Sequence, residues 1–229
     1  RRQDKPNAIA WLLKNCPGSK GCVIPNPIVF PLPSTEPQKD PLSIIKNGRK
    51  LMITVGRLEK QKGFDILIDA YARLAEDFPD WDLVVLGEGS ERDRLEEQIG
   101  RKGVSSRISL PGRVGNLGDW YARADFFVMS SRFEGFPNVL VEAMAYGLPA
   151  VSFDCDTGPE DIIENEVNGF LVSPREGDQG LSLAMVKMIR DKKKRILMSK
   201  SSQLVRQRFS INRIAKEWNQ VLGLEDTKK

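Results

Sequence analysis

The stretch SRFEGFPNVLVEAMAYGLPAV (residues 131–151) places two glutamates, Glu134 and Glu142, eight positions apart. Between Gly135 and Phe153 Glu142 is the only charged residue, set among Val139, Leu140, Val141, Ala143 and Met144. A carboxylate in such an apolar run is costly to bury without a partner. Ionised, it is an acceptor with two oxygens, which suits a pair of adjacent hydroxyls such as those of a ribose. A helix starting at Pro137 would leave Glu134 and Gly135 in the preceding loop and Glu142 near the second turn. The free N–H groups of Asn138, Val139 and Leu140 would then face an anion, a phosphate above all. Glu134 would reach beyond it, toward a sugar. The competing structural reading pairs Glu142 with a core arginine, Arg57 or Arg132.

A second segment, GRLEKQKG (56–63), sets Arg57 and Lys62 in a glycine-bracketed turn ahead of a helix. Two cations, helix-start amides and the helix dipole can together hold a phosphate; a solvated charged turn is the plainer alternative. The P-loop pattern is absent. LGEGSERDRL (86–95) has a short GxG but lacks the third glycine of a dinucleotide fingerprint, so a nicotinamide cofactor is rejected. In PGRVGNLGDW (111–120), Arg113 and Val114 occupy a turn that either lines a nucleobase slot or merely connects.

These turns need strands and helices to carry them. LMITV (51–55), DLVVLG (82–87), RISL (107–110), DFFVMS (125–130), PAVSF (149–153) and GFLV (169–172) read as buried strands. Helical patterns separate them: 63–78, SERDRLEEQIGRKG, NLGDWYARA (116–124), 137–146 closed by Gly147, and PEDIIE. Helices then fill 179–191, 193–208 and 210–222, the last with Ser210 as N-cap. The alternation predicts an α/β, doubly wound parallel sheet, with any ligand at the carboxyl ends of the strands. A short helix is expected over Ala8–Lys14. Seven prolines between Pro17 and Pro41 then mark an extended linker, so residues 1–48 read as a remnant and linker and 49–229 as the domain.

Composition is that of a globular chain: 229 residues, 40% hydrophobic, 29% charged and a formal net charge of +4. The mild basicity suits an anionic ligand or lipid surface and argues against nucleic acid. The run RDKKKR (190–195) is expected to be a solvated face, with contact to anionic lipid as the alternative. There is no histidine, which excludes histidine triads and histidine metal sites within these residues. Cys16, Cys22 and Cys155 form no CxxC and read as reduced, cytosolic thiols. Asp154 and Asp156 form a DCD in a loop and are read as structural, leaving no metal site. The opening RRQDKPNAIAW reads as the middle of a longer protein.

With the two glutamates, VIPNPI (23–28), VGRLEKQKG (55–63), VVLGEG (84–89), LPGRV (110–114), GPEDII (158–163) and NGFLV (168–172) resemble, in order, the retaining nucleotide-sugar glycosyltransferases of family 4. The resemblance runs from about Val23 to the C-terminus. It implies a Rossmann-like C-terminal half of a GT-B enzyme, binding the donor, with the acceptor-binding N-terminal domain absent. By that resemblance Arg57 and Lys62 grip the diphosphate, Glu142 takes the ribose hydroxyls and Glu134 contacts the donor sugar. Gly56, Arg113, Val114, Gly135, Phe136, Asn138, Val139 and Leu140 complete the donor cradle. It implies a UDP-sugar donor, a hexose or N-acetylhexosamine, no metal or other cofactor, and a glycan or lipid-linked acceptor in surface polysaccharide synthesis. It also implies a cytoplasmic enzyme, with peripheral contact at the inner membrane face admitted. The reading from another class is a nucleotide-binding or interaction module without catalysis.

Overall fold

The computed structural model describes residues 22–46 and 48–224. The helix expected over Ala8–Lys14, and Cys16, lie outside the described residues. Cys22 is exposed and Cys155 is buried.

Strand β1 (Lys50–Val55) shows why the sheet forms. Its run of apolar residues alternates between two cores, with Leu51 and Ile53 in one and Met52 in the other. A strand covered on both faces has no reason to carry polar residues, so it reads as a continuous apolar run. The same holds for β2 (Trp81–Leu86), β4 (Phe126–Met129) and β5 (Ala150–Phe153), which are buried throughout. With β3 (Ile108–Gly112) and β6 (Gly169–Val172), they form a six-stranded sheet in the order β3-β2-β1-β4-β5-β6. Every pairing is parallel. The expected doubly wound, Rossmann-like α/β architecture is thus what the chain forms.

One face is covered by α1 (Phe64–Ala72), α2 (Arg92–Arg101) and α6 (Gly177–Arg190). The other packs against α3 (Leu117–Arg123) and α4 (Asn138–Ala145). Each large apolar side chain so buried contributes about 1.5–3 kcal/mol. A short α5 (Pro159–Ile162) precedes β6, and α7 (Lys192–Ser202), α8 (Val205–Arg208) and α9 (Ile211–Leu222) close the chain.

Several boundaries differ from the sequence reading. The first helix ends at Ala72 rather than 78, yet Leu74 and Ala75 remain buried in the turns that follow, which kept the helical spacing alive past the helix. The pattern over 193–208 is two helices, broken at Gln203–Leu204. Pro137 is the N-cap of α4, not its first residue. Ser210 caps α9 as expected, its hydroxyl accepting from the Arg213 amide at 3.3 Å.

The proline-rich stretch lies as a strap along the domain. Ile28 N donates to Phe209 O, Thr35 N to Gly115 O and Gly115 N to Pro37 O. Phe30 packs edge-on against Tyr146 with the Arg206 guanidinium 3.8 Å from its ring centre.

Gly63 carries a sharp requirement. It sits at φ +64, and a Cβ built there would overlap the Ser130 carbonyl oxygen. Gly103, at φ +70, faces open space. Gly103→Ala should therefore lose only the cost of a left-handed backbone, about 1–2 kcal/mol. Gly63→Ala should lose clearly more, because Ser130 must move. Urea denaturation of the two variants measures the difference, and equal losses would show that the contact between the two loops is soft.

Candidate functional site

The strand order reverses between β1 and β4, which are neighbours in the sheet although their connections leave in opposite directions. A crevice at the carboxyl ends of such a pair is where open α/β sheets bind ligands. Here the two loops leaving those ends are fastened together. Arg132 N donates to Gln61 O at 2.8 Å, Gln61 Nε2 to Phe133 O at 3.0 Å, and Ser130 Oγ to Lys62 O at 2.9 Å. Across this seam Lys62 Nζ meets Glu134 Oε1 at 2.6 Å. Ser131 Oγ donates to the same oxygen at 2.6 Å. The two side chains are only 16% and 7% exposed, so each charge depends on the other for its stability in place. The stem of Lys62 runs over Gly56, where a Cβ would come within 3.3 Å of it.

The turn after β5 forms a third wall. Thr157 holds a left-handed backbone at φ 60, a strained choice for a β-branched residue, and its hydroxyl donates to the Glu134 carbonyl. Gly158, at φ +100, lies where a Cβ would strike the Pro137 ring. Three loops from β1, β4 and β5 therefore fix the backbone of Glu134.

Glu142 is reached from α4. Leu140, Val141, Ala143, Met144 and Ala145 are buried in the core, which leaves Asn138, Val139 and Glu142 as the helix's outward strip. Glu142 is half-buried, and neither expected arginine takes it. Arg132 instead forms a double hydrogen bond with Asp65, at 2.9 and 2.7 Å. Arg57 is exposed and makes no ion pair among the described residues. Burial raises the Glu142 carboxyl above its ordinary value, and the neighbouring Tyr121 hydroxyl, which favours the charged form, offsets this in part. Burial, then the facing carboxylate, in turn holds the Tyr121 phenol well above its usual range.

The amides depart from expectation. In the first turn of α4, Asn138 N donates to Phe136 O at 3.0 Å and Leu140 N to Pro137 O at 3.0 Å. The amides of Gly135, Phe136 and Val139 find no backbone acceptor among the described residues. At the start of α1, Ile66 N donates to Gly63 O at 3.0 Å and the Asp65 carboxylate, paired with Arg132, already sets a negative charge in the first turn, which disfavours a phosphate there. Arg113 is exposed, whereas the side chains of Val114 and Leu140 belong to the core and can offer a ligand only backbone. Asn138 is exposed and its Oδ1 accepts from Asn26 at 3.1 Å.

Of the residues singled out in the sequence, the structure brings Lys62, Glu134 and Gly56 together and leaves Arg57 exposed in the same turn. Sequence reasoning missed Ser131, Thr157 and Tyr121. The carboxyl end of PAVSF (149–153), where such a sheet holds its ligands, is the one signal that points to Thr157. Among the described residues no three His, Cys, Asp or Glu side chains gather as metal ligands would, and no helix is long and apolar enough to cross a membrane.

A carboxyl whose folded pKa is raised binds its proton more tightly in the folded state than in the unfolded one. Stability then falls as pH rises from the ordinary value of 4.5 through the folded value, and stays lowered above it. Glu142→Gln should therefore raise the melting temperature of the ligand-free protein near pH 7. The gain should vanish below about pH 4, where the wild-type carboxyl is protonated in both states. An equal gain at both pH values would mean that ionisation of Glu142 is not what destabilises the chain.

The family model described as "Glycosyl transferases group 1" matches residues 36–205. An uncharacterised glycosyltransferase of Haemophilus influenzae is 31% identical over 193 residues, covering 83% of this chain and 53% of that protein. The amylovoran biosynthesis glycosyltransferase AmsD of Erwinia amylovora is 29% identical over 172 residues, 75% of this chain and 48% of its own. Among solved structures, Anabaena Alr3699/HepE in complex with UDP superposes with a TM-score of 0.71 at 29% identity, over 76% of this chain and 49% of that one. The chain spans about half the length of these curated relatives. With the ordered motifs, the reversed strand order and a family match over most of its length, the chain belongs to the group 1 glycosyl transferases.

Proposed function

We propose that this chain is the donor-binding half of a retaining family 4 glycosyltransferase of the GT-B type. It takes a hexose or N-acetylhexosamine from a nucleoside diphosphate sugar, with UDP as the carrier. The observation that carries the reading is the Lys62–Glu134 pair, 2.6 Å apart at the crossover of β1 and β4. An ammonium and a carboxylate held side by side fit the junction between an anionic leaving group and a hydroxylated sugar. The UDP complex of the Anabaena protein supports the carrier, and the name of AmsD, a glycosyltransferase of amylovoran biosynthesis, supports a polysaccharide as the destination.

In this reading Arg57 and Lys62 face the diphosphate and stabilise the negative charge that builds on it as the glycosidic bond breaks. They supply positive charge without a divalent ion. The amides of Phe136 and Val139 add donors to the same oxygens, Glu142 accepts from the ribose hydroxyls, and Glu134 orients the sugar. The Ser131 hydroxyl and Lys62 hold Glu134 in place while it does so. Arg113 borders the base. Acceptor binding belongs to an N-terminal domain that would close over this crevice.

Calorimetric titration tests the assignment. UDP should bind more tightly than GDP or ADP. Arg57→Ala and Lys62→Ala should each weaken UDP binding by about 10- to 100-fold, the value of a charge-assisted hydrogen bond. Glu134→Gln should leave UDP affinity nearly unchanged while lowering affinity for the intact UDP-sugar. If the three nucleotides bind alike and Arg57→Ala has no effect, the donor-site reading is wrong.

A further inference from the structure

At the opposite end of the sheet, α7 buries only Arg195, Met198 and Ser202. Its outward face presents Lys192, Lys193, Ile196, Leu197 and Lys200. Ile196 and Leu197 are 48% and 63% exposed, in the midst of the lysines. The last turns of α6 bring Lys187 and Arg190, also exposed, to the same corner. Among the described residues none of these five cations is in an ion pair. The nearby carboxylates are already engaged: Asp191 accepts from the Lys194 amide at 2.8 Å, and Glu166 pairs with Lys194 at 2.9 Å. Arg195 fastens the corner, donating to the carbonyls of Met188 and Ile189 at 2.7 and 3.0 Å.

Beside this face lies a cleft of about 270 Å³ lined by Lys50, Asp125, Lys192, Arg195, Ile196 and Ser199. Three cations against one carboxylate leave it net positive, with Lys50 and Asp125 3.2 Å apart. Lys50 opens β1 and Asp125 immediately precedes β4, so the cleft is at the amino ends of the strands. It is therefore one strand length, about 20 Å, from the donor crevice.

We propose that the outward face of α7, with the end of α6 and the adjoining cleft, docks the protein on an anionic lipid bilayer. Unpaired lysines are drawn to the negative surface, and their stems allow the ammonium groups to stay among the headgroups while neighbouring apolar side chains go deeper. Ile196 and Leu197 are what separate a bilayer from a nucleic acid or an acidic polymer. Against a hydrated polyanion they gain nothing, whereas at a headgroup boundary they leave water. The cleft receives a phosphoryl headgroup beside Lys192 and Lys50. The outward face of α7 lies outside the donor crevice; the cleft shares with it only Tyr121, whose hydroxyl faces Glu142, and UDP titration of each variant keeps the two readings apart.

Co-sedimentation of the full chain with vesicles of phosphatidylcholine, and of phosphatidylcholine containing phosphatidylglycerol, is the test, with UDP titration and a thermal melt of each variant in parallel. Wild type should partition onto the phosphatidylglycerol vesicles and not onto phosphatidylcholine alone. Lys192→Glu, Lys193→Glu and Lys200→Glu combined should lower that partition by about 100-fold or more, from roughly 1 kcal/mol per basic residue. Ile196→Ser with Leu197→Ser should lower it at least about ten-fold. All variants are expected to melt and bind UDP as wild type does. Equal binding to both vesicle types, or retention by the triple variant, overturns the proposal. So does binding to heparin or DNA as strong as to vesicles and indifferent to the serine pair, which would make the face a site for polyanions.

Discussion

The ion pair between Lys62 and Glu134 is the contact on which the rest of the site turns. Neither partner is well hydrated, and they come from loops 72 residues apart in the chain. A desolvated charge pair of this kind forms only if both loops are delivered to the same point. The sheet does this by placing β1 and β4 side by side with their connections diverging, which opens a gap above the pair of strands. The hydrogen bonds among Gln61, Arg132 and Phe133 then keep the gap from widening. Gly63 lets the loops approach to a distance that no side chain would permit.

Around that pair the protein leaves interactions incomplete. Arg57 projects without a carboxylate, amides of the 135–139 loop have no backbone acceptor among the described residues, and Glu142 has a phenol where a cation would have been cheaper. Each is a small local loss of stability, and all lie on one side of the sheet's carboxyl edge. The arginine that might have neutralised Glu142 is diverted to Asp65, which also occupies the start of α1. At this edge a spare cation and spare donors are thus gathered where a ligand can complete them.

Much of this was legible in the sequence, for physical reasons that differ by element. The strands were readable because burial on both faces turns LMITV or FFVM into unbroken apolar runs ending at small or polar residues. Lys62 and Glu134 were readable because charged groups at the ends of such runs have few other places to be. Helix ends were less so: Leu74 and Phe78 keep packing against the core after the helix has ended, and periodicity records packing rather than hydrogen bonding. Ser131, Thr157 and Tyr121 escaped because a neutral hydroxyl carries no pattern, and its partner is fixed only by the tertiary fold. The strap escaped as well, since prolines advertise extended chain but not the surface it lies on.

That strap has a mechanical result. With Ile28 bonded at the end of α8, Thr35 and Pro37 bonded to Gly115, and Phe30 wedged between Tyr146 and Arg206, the segment has no swivel between its first bridge and the sheet. A pull applied at Ile28 would therefore bear on the turn carrying Arg113 and on the C-terminal end of α4, the places where these contacts are made.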